Sequence, residues 1–499
     1  MSHGLSKSRY TQFRACDKAL WLSIFKPEEA VIDAQTEARF AAGNLVGDLA
    51  MGLLGPFEEV TVRKPDGHLD YGKMIDLTKD AMARGVENIC EASFSFDGSY
   101  CAVDILHKAK GGYEIYEVKS STEPDKEVYA WDVAFQKYVL TGCGVPVVGT
   151  YLVSINNEYV RHGDIEIGKL FNITDFSDEV DAELPHVKDG IDDARAVLEG
   201  DEPGKDISPT CNSPYPCAFW KYCTRHIPSP SVFNLYRMNT RKKFELYNDG
   251  IITFDSLGDT PLSRIQQMQV EGALGGTIHI DKEGIQEFLD TLSYPLYHLD
   301  FETIQPAVPL YDGTRPYQQI PTQYSLHVEK SPGGELDHLE FLAPSRENPL
   351  RPIAESLCRN IPAGVCVLAY NKSFECGRIA ELAELFPDLS DHLLAIRDNI
   401  RDLLVPFQAG CYYLPSMGGS FSIKSVLPAL FPDDPELDYH ALDELCQNGG
   451  MAMNLFPALR DMSPAEEARA RRALLDYCRL DTLAMVKVLS KLYEAVRSC

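Results

Sequence analysis

The sequence predicts an α/β protein made of two domains and a small helical connector. A chain of 499 residues is long enough for two or three domains at ~100–200 residues each. Segments rich in β-forming residues alternate with helical segments in both halves, and a hydrophobic content of 44% supplies apolar side chains for two cores. A segment rich in proline and serine, 227–235, is typical of a linker. The predicted domains cover residues 1–228, 229–290 and 291–499.

The first domain is predicted to begin with helices and to continue with a sheet. Two helical patterns precede three extended stretches, which are separated by Asp97-Gly98 and Gly111-Gly112. Such pairs between alternating apolar runs indicate β-hairpins. A helix that ends at Gly142 and a further β-rich run follow, so the predicted order is strand, strand, strand, helix, strand. The helical patterns cover 28–53, 73–87 and 127–142, and the last β-rich run covers 145–156.

The connector and the last domain follow the linker. A helical segment, 236–275, resembles a small helix-hairpin unit. Beyond Ser293, three strands joined by tight turns are followed by helix, strand and further helices, which predicts a mixed α/β sheet. The predicted strands are 295–303, 322–330, 338–344 and 364–371, and the predicted helices are 345–360, 374–385, 389–400 and 464–497.

The overall charge is strongly acidic. A formal net charge of −27 is unfavourable for a protein that binds nucleic acid through many phosphate contacts. One basic run, Arg237 with 241–243, is either a local phosphate-binding surface or a solvated helix face. Acidic sites can also bind phosphate through a divalent metal ion, which offsets part of the deficit.

Nothing in the sequence indicates export or insertion into a membrane. No run of about 18 apolar residues occurs, and the first residues lack an apolar signal segment. We therefore expect a cytoplasmic protein with no membrane partner. The cytoplasm keeps thiols reduced, so the 14 cysteines are expected to be thiols and metal ligands rather than disulfides.

A first candidate site combines two predicted strands. Asp104 lies on one extended stretch, and Glu117 and Lys119 lie on the next. Residues i and i+2 of a strand face the same way, so Glu117 and Lys119 point into one site beside Asp104. Two carboxylates can hold Mg²⁺, and a lysine can orient water or offset charge on a phosphate. The alternative is a cross-strand salt bridge on a solvated sheet.

Four cysteines form a second pattern in the same domain. Cys16 lies near the start, and Cys211, Cys217 and Cys223 follow almost two hundred residues later, with five residues between neighbours. A metal or cluster bound by all four would tie the beginning of the domain to its end. Zinc accepts four thiolates as readily as an iron–sulfur cluster does, and buried free cysteines are common, so the spacing alone leaves these readings open.

Residues 1–228 resemble the PD-(D/E)XK nucleases of the RecB type that carry a four-cysteine iron–sulfur cluster, a group that includes the AddB nuclease and CRISPR-associated adaptation exonucleases. The resemblance rests on Asp104, Glu117-Val-Lys119, Gln136 with Tyr138, and the cysteine pattern with Cys16 before Trp21-Leu22. It implies a restriction-endonuclease-like fold and Mg²⁺ or Mn²⁺ at Asp104 and Glu117. It also implies that Gln136 contacts the site or DNA. The cluster ligands implied for [4Fe-4S] are Cys16, Cys211, Cys217 and Cys223.

The last domain carries a separate set of acidic residues. Asp300 and Glu302 end an apolar strand as an i, i+2 pair, and Tyr477 and Asp481 lie one helical turn apart on one face. Glu375 follows another apolar strand and opens a helix. Carboxylates from separate elements can converge if divalent metals join them. The alternative is a set of unrelated surface acids.

This second pattern resembles the DEDD exonucleases of the RNase H-like (DnaQ) superfamily, in the branch that contains a tyrosine. The resemblance covers roughly 293–499 and implies metal binding by Asp300, Glu302, Glu375 and Asp481, with Tyr477 positioning water. Glu375 stands where the family has aspartate. Asp402 and Ser422-Ile-Lys424 resemble further family positions and are predicted to be structural. The whole chain resembles a bacterial family with a RecB-like first module and an RNase H-like second module.

Together these features predict a metal-dependent nuclease that hydrolyses phosphodiester bonds as an exonuclease. The expected partner is nucleic acid, DNA more than RNA, and the expected cofactors are Mg²⁺ or Mn²⁺ and a structural [4Fe-4S] cluster, with zinc as the alternative. Two other classes stay open. In the family, a histidine stands four residues after an early glycine, but Gly47 follows Gly43 here. Together with the acidic charge, this favours a nucleic-acid-binding adaptor that has lost catalysis. A redox sensor based on the cluster is the third class.

Overall fold

The computed structural model describes residues 4–123, 126–213 and 215–497. The chain divides into two compact units. The first comprises the chain up to Arg225 together with Pro306–Tyr317, and the second comprises His226–Gln305 and the chain from Gln318 onwards. Among the described residues, no helix is both long enough and apolar enough to cross a membrane.

The first unit contains the elements β1 to β7 and α1 to α8. Its strands are β1 (Leu5–Ser6), β2 (Glu58–Glu59), β3 (Asn88–Phe96), β4 (Ser99–Ala109), β5 (Gly112–Lys119), β6 (Val147–Ile155) and β7 (Phe171–Asp175). Its helices are α1 (Lys7–Ala15), α2 (Asp17–Phe25), α3 (Ala34–Ala50), α4 (Tyr71–Arg84), α5 (Lys126–Gly142), α6 (Ile167–Leu170), α7 (Ser177–Glu199) and α8 (Trp220–Thr224).

These strands form a mixed sheet in the order β2-β3-β4-β5-β6-β7, and β1 pairs with β4. The neighbours β3, β4 and β5 are antiparallel, whereas β5 and β6 are parallel and are connected by α5. Asp97 and Gly98 between β3 and β4 have φ of 46° and 67°, the left-handed backbone that a two-residue hairpin turn requires. The predicted order of strand, strand, strand, helix, strand agrees with this arrangement.

Helices α1, α5 and α7 pack together over this sheet. Tyr10 of α1 and Phe135 of α5 are fully buried, and their rings stack with centroids 4.8 Å apart. Such a pair adds about 0.5–1.5 kcal/mol to the gain from burial alone. This stack fixes the start of the chain against the helix that follows Lys119.

The second unit contains the remaining elements. Its strands are β8 (His279–Ile280), β9 (Leu296–Ile304), β10 (Ile320–Glu329), β11 (Leu336–Leu342), β12 (Cys366–Ala369), β13 (Ile400–Asp402) and β14 (Tyr412–Tyr413). Its helices are α9 (Thr240–Asn248), α10 (Arg264–Gly275), α11 (Lys282–Leu289), α12 (Leu350–Asn360), α13 (Ser373–Leu385), α14 (Ser390–Asp398), α15 (Val405–Gln408), α16 (Ile423–Leu430), α17 (Gly449–Ala458) and α18 (Pro464–Arg497).

The main sheet of the second unit has the order β11-β10-β9-β12-β13. Strands β9, β10 and β11 are antiparallel, and β12 and β13 run parallel to β9. One face of β10 contacts α18, where Ser325 Oγ lies 2.7 Å from Thr482 Oγ1. The other face contacts α12, where Tyr324 Oη lies 2.7 Å from Ser356 Oγ. The predicted α/β class and the predicted mixed sheet are confirmed.

For two segments of the chain, the sequence does not indicate the compact unit to which they belong. The predicted connector contains α9, α10 and α11 and belongs to the second compact unit. The segment 306–317 follows β9 but belongs to the first unit. There, the Arg161 guanidinium donates to the carbonyls of Pro309 and Leu310, each at 3.0 Å, and the Tyr317 hydroxyl donates to the Ser120 carbonyl.

Candidate functional site

Three carboxylates of the second unit converge where α18 crosses β9. Asp300 and Glu302 lie on the face of β9 that α18 covers, because Asp300 pairs with Ser325 and Ser325 contacts Thr482 of α18. Asp481 belongs to α18. One oxygen from each of Asp300, Glu302 and Asp481 lies within 4.8 Å of the others. The side-chain alternation of a strand and the overlying helix therefore bring together groups that are about 180 residues apart in sequence.

Glu375 lies in the first turn of α13, near these three acids but outside the group whose oxygens lie within 4.8 Å of one another. It is only 2% exposed, and its Oε2 has no hydrogen-bond donor. Its negative charge raises the pKa of both Asp300 and Glu302, so the four acids share one electrostatic environment. A buried carboxylate oxygen without a donor is unfavourable unless a cation binds it.

Asp402 holds the loop that precedes α13. Its carboxylate accepts the backbone amides of Asn371 at 2.9 Å, Lys372 at 3.2 Å and Leu404 at 3.0 Å. These bonds fix the start of the helix that carries Glu375. The geometry agrees with the structural role that the sequence predicts for Asp402.

Lys424 and Tyr439 also belong to this site. The Lys424 ammonium donates to the Tyr477 hydroxyl at 2.9 Å, and the Tyr439 hydroxyl donates to Asp481 Oδ1 at 2.5 Å. From its sequence context, Lys424 is predicted to be structural, whereas its charge lies beside the candidate acids. No spacing rule connects either residue to the acids, since α16 and the turn at Tyr439 approach α18 only in the folded chain.

Removal of the carboxylates from water dominates the electrostatics. Burial, followed by the charges of Asp481 and Glu302, raises the pKa of Asp300 well above its ordinary value. Burial raises the pKa of Glu302 to about 8, with Asp481 adding to the effect and Lys424 opposing it. Burial likewise raises the pKa of Glu375 to about 8. The group resists full ionisation at neutral pH, and a bound divalent cation would reverse this preference.

The acidic residues of the first unit are also brought together. Asp104 on β4 accepts the backbone amide of Val118 at 2.7 Å. The Lys119 ammonium donates to Glu117 Oε1 at 2.6 Å. Gln136 of α5 donates to Glu117 Oε2 at 2.7 Å. The four residues predicted for this site therefore lie in one cluster.

Three further residues of this cluster have weak or no sequence signals. The Lys7 ammonium lies 3.0 Å and 3.2 Å from the two oxygens of Glu117. Asp132, one turn before Gln136, accepts from Lys119 at 2.7 Å. Glu91 lies on β3, next to β4, in a left-handed backbone with φ of 57°; such strain in a non-glycine residue often marks a site. A helix spacing of four could have indicated Asp132, but nothing local connects Lys7 to the acids.

The pKa values of Glu117 and Asp132 in this cluster shift in opposite directions. Burial, then the negative charge of Asp104, raises the pKa of Glu117 to about 7. Burial opposes ionisation of Asp132 as well, but the charges of Lys119 and Lys7 outweigh it and lower the pKa of Asp132. The site therefore keeps an ionised Asp132 between two ammonium groups.

Three of the four predicted cysteine ligands, Cys16, Cys217 and Cys223, pack against one small apolar core that includes Leu22 of α2. Burial raises the pKa of the Cys223 thiol, and the charges of Cys217, Cys16 and Cys211 raise it further. Backbone amides also reach the sulfurs, since the Ser208 amide lies 3.4 Å from Cys211 Sγ. The beginning and the end of the first unit thus meet at these thiols.

Comparisons with known proteins give a limited match. Residues 297–422 match the model of a domain of unknown function, DUF2779. The uncharacterized protein MG366 of Mycoplasma genitalium is 26% identical over 219 residues, which is 40% of this chain and 32% of that protein. Its homolog in Mycoplasma pneumoniae is 29% identical over 210 residues, 38% of this chain and 31% of that protein. The uncharacterized protein UU173 of Ureaplasma parvum is 26% identical over 270 residues, 50% of this chain and 38% of that protein.

The chain therefore spans about a third of the length of these curated relatives. The matched family region includes Asp300, Glu302 and Glu375 and ends before Tyr477 and Asp481. No solved structure matches the chain.

The raised pKa values predict a pH-dependent stability for the metal-free chain. The pKa of Glu302 and that of Glu375 rise from 4.5 to about 8 on folding. Their contribution to stability is complete below the unfolded value and is lost as the pH rises through about 8. Glu302→Gln, which removes one of these charges, should therefore raise the melting temperature in EDTA by a few degrees at about pH 8 and by much less at about pH 5.

Differential scanning calorimetry of the full chain measures this difference. Glu335→Gln is the matched control, because the Glu335 side chain is 79% exposed. An equal effect of Glu302→Gln at both pH values would contradict the electrostatic origin of the shift.

Proposed function

We propose that the chain is a metal-dependent nuclease whose second unit hydrolyses phosphodiester bonds. The observation that carries this proposal is the convergence of Asp300, Glu302 and Asp481, whose oxygens lie within 4.8 Å of one another. Carboxylate oxygens are the ligands that Mg²⁺ and Mn²⁺ prefer. Packing like charges this closely is unfavourable without such a cation.

The residues present fit a divalent metal centre. Asp300, Glu302, Glu375 and Asp481 would hold it, and the donor-free Oε2 of Glu375 offers a ligand atom that no protein group uses. A bound divalent ion would polarise the phosphate and lower the pKa of an attacking water. The two i, i+2 acids on a rigid central strand supply the fixed geometry that such a centre needs.

The topology supports the resemblance to RNase H-like exonucleases. Numbered from β9, the main sheet has the strand order 3-2-1-4-5, with the first strand in the centre. The first two acids lie on that central strand, and the last acid lies on a helix that crosses it. An exonuclease acting on DNA or RNA is therefore the reading that fold and site favour together.

The remaining side chains orient Tyr477 and Asp481. The Lys424 ammonium donates to the Tyr477 oxygen, so the tyrosine hydroxyl proton points away from Lys424. The Tyr477 hydroxyl in turn donates to the Asp481 carboxylate. Tyr439 donates to the same carboxylate. The series of hydrogen bonds from Lys424 through Tyr477 to Asp481 fixes one metal ligand. It also places the tyrosine hydroxyl where it can position a water molecule.

The cysteine group supports a structural iron–sulfur cluster in the first unit. Cys16, Cys211, Cys217 and Cys223 provide four thiols, and the backbone amide of Phe219 bonds the Cys217 sulfur. Amide donors of this kind stabilise thiolate ligands. A bound cluster would join α2 to the segment around α8 and would take no part in hydrolysis.

Replacement of a ligand on β9 tests the hydrolytic proposal. Asp300→Asn keeps the shape of the side chain but removes its charge, so we expect cleavage of labelled single-stranded or double-stranded DNA or RNA in Mg²⁺ or Mn²⁺ to fall by at least about 100-fold. Asp398→Asn, at a side chain that is 63% exposed, should cleave at the rate of the unmodified chain. The measurement is product release from end-labelled substrates by the full, anaerobically purified chain.

Two results would count against this reading. If cluster-loaded protein cuts none of these substrates but binds them, a nucleic-acid-binding adaptor becomes the better description. If Asp300→Asn cuts as fast as the unmodified chain, the acids on β9 are not the catalytic ligands.

Lys424 is expected to act by positioning Tyr477. Lys424→Met removes a charged hydrogen bond, and we expect kcat to fall about tenfold with little change in KM. Lys424→Arg, which can still donate to the hydroxyl, should restore most of the rate. Lys330→Met is the control, because this lysine pairs with surface acids and its side chain is 56% exposed. A rise in KM with unchanged kcat would instead identify Lys424 as a substrate-binding residue.

Metal analysis tests the four-cysteine ligand set. Protein purified without oxygen should contain iron and inorganic sulfide and absorb visible light, whereas Cys16→Ser and Cys217→Ser should lose most of the iron. Cys143→Ser removes an exposed cysteine of the same unit and should retain it. One zinc per chain would replace the iron–sulfur assignment, and iron retained by both ligand variants would contradict the ligand set.

A further inference from the structure

The acidic site of the first unit already contains cations. Glu117 is 1% exposed, and both of its oxygens accept from Lys7, at 3.0 Å and 3.2 Å. Lys119 donates to Oε1 and Gln136 donates to Oε2 of the same carboxylate. Each oxygen of Glu117 therefore accepts two hydrogen bonds from side chains of the protein. This arrangement leaves little acceptor capacity for a metal ion.

The other carboxylates of the site are engaged as well. Asp132 Oδ2 accepts from Lys119 at 2.7 Å, and Oδ1 lies 3.7 Å from the Lys7 ammonium. Asp104 Oδ2 accepts the Val118 amide. Mg²⁺ needs near-octahedral oxygen ligands at about 2.0–2.1 Å. Two ammonium groups bonded to the central carboxylate oppose a further divalent charge at that place.

The fold fixes Lys7 in this position. β1 pairs with β4 at Ser99 and Tyr100, and Ser6 caps α1 by accepting the Arg9 amide. Three residues after Lys7, Tyr10 stacks on Phe135 of α5, the helix that also carries Asp132 and Gln136. The Lys7 side chain is 20% exposed. The paired strand before Lys7 and the packed helix after it therefore hold its backbone in place, unlike that of a lysine in an exposed loop.

The second unit has the opposite arrangement. Lys424 donates to the Tyr477 hydroxyl, and Oε2 of Glu375 has no donor. Asp300, Glu302 and Asp481 gather without an ammonium group hydrogen-bonded to them among the described residues. The two acidic sites therefore differ in how close their cations lie: ammonium groups bond the carboxylates directly in the first, whereas in the second the nearby Lys424 ammonium bonds the Tyr477 hydroxyl rather than a carboxylate.

We propose that the ammonium of Lys7 takes the place of a divalent cation in the acidic site of the first unit. The residues of this site do not fit the Mg²⁺ or Mn²⁺ that the nuclease resemblance implies for Asp104 and Glu117. The first unit is then a nuclease-like module without a hydrolytic metal, and cleavage is confined to the second unit. This last consequence rests on the function proposed above, whereas the metal exclusion stands on the hydrogen bonds and ion pairs of Glu117 and Asp132.

Manganese binding to the full chain tests the exclusion. The starting variant is Asp300→Asn with Asp481→Asn, which removes ligands of the second unit, and free Mn²⁺ is measured by electron paramagnetic resonance. We expect no Mn²⁺ binding that depends on Glu117 in this variant. Adding Lys7→Met, or Lys7→Ala, should create one site per chain, with affinity for Mn²⁺ at least tenfold higher than before. Adding Glu117→Gln should remove that site again.

Lys188→Met is the matched control, because Lys188 pairs with Asp192 on the surface and its side chain is 64% exposed. The chain's three tryptophans, Trp21, Trp131 and Trp220, all belong to the first unit, so their emission reports whether that unit stays folded.

Either of two results overturns the proposal. One is Mn²⁺ binding that requires Glu117 while Lys7 is present, a measurement that needs no substitution of Lys7. The other is a folded Lys7→Met or Lys7→Ala chain that gains no site. A failure of the proposed function would give a different result: the unmodified chain and Asp300→Asn would bind Mn²⁺ equally.

Discussion

The removal of partly buried carboxylates from water, together with their mutual repulsion, is the constraint on which the second unit depends. Asp300 and Glu302 share one face of the central strand, and α18 adds Asp481 at the same place. Side chains there have little access to water, so their charges are poorly solvated. The apolar packing of α18 on β9 and β10 keeps the acids together despite this cost. The stability gained in the core thus maintains a cluster of acids that by itself disfavours folding. Such a cost in stability is common at sites where a protein gathers like charges.

The first unit meets the same constraint with its own side chains. Glu117 is more deeply buried than either acid on β9, yet Lys7, Lys119 and Gln136 satisfy its oxygens. A buried acid with such partners is a closed network, which needs no external ion to be stable. Two acidic clusters that look alike as sequence patterns therefore have different electrostatic requirements. The distinction lies in the donors that surround the acids, not in the acids themselves.

The site of the second unit is assembled from five separate elements: β9, α13, α16, the turn at Tyr439 and α18. The region that matches the family model supplies β9 and the first turn of α13, and Asp402 anchors the loop before that turn. The later part supplies Lys424, Tyr439 and the acid of α18. Each part contributes one or two groups, and none of them forms a site alone. Residues after 422 are therefore as much a part of the candidate site as the matched region.

Local sequence patterns predicted several long and regular elements, although the 23-residue helix α7 was not among them. Strands near 296–304 and 320–329, the long helix from Pro464 and the i, i+2 acids of β9 all follow from local patterns, since alternation and helical spacing are set by neighbouring residues. Helices α15, α16 and α17 were not predicted, because four to ten residues give too few turns for a periodic signal. The folded chain alone shows that Lys7 reaches Glu117, that Lys424 reaches Tyr477 and that the segment 306–317 belongs to the first unit. Those contacts join residues 53 to 110 positions apart, or join separate stretches of chain, so they depend on how whole elements pack and not on any local preference.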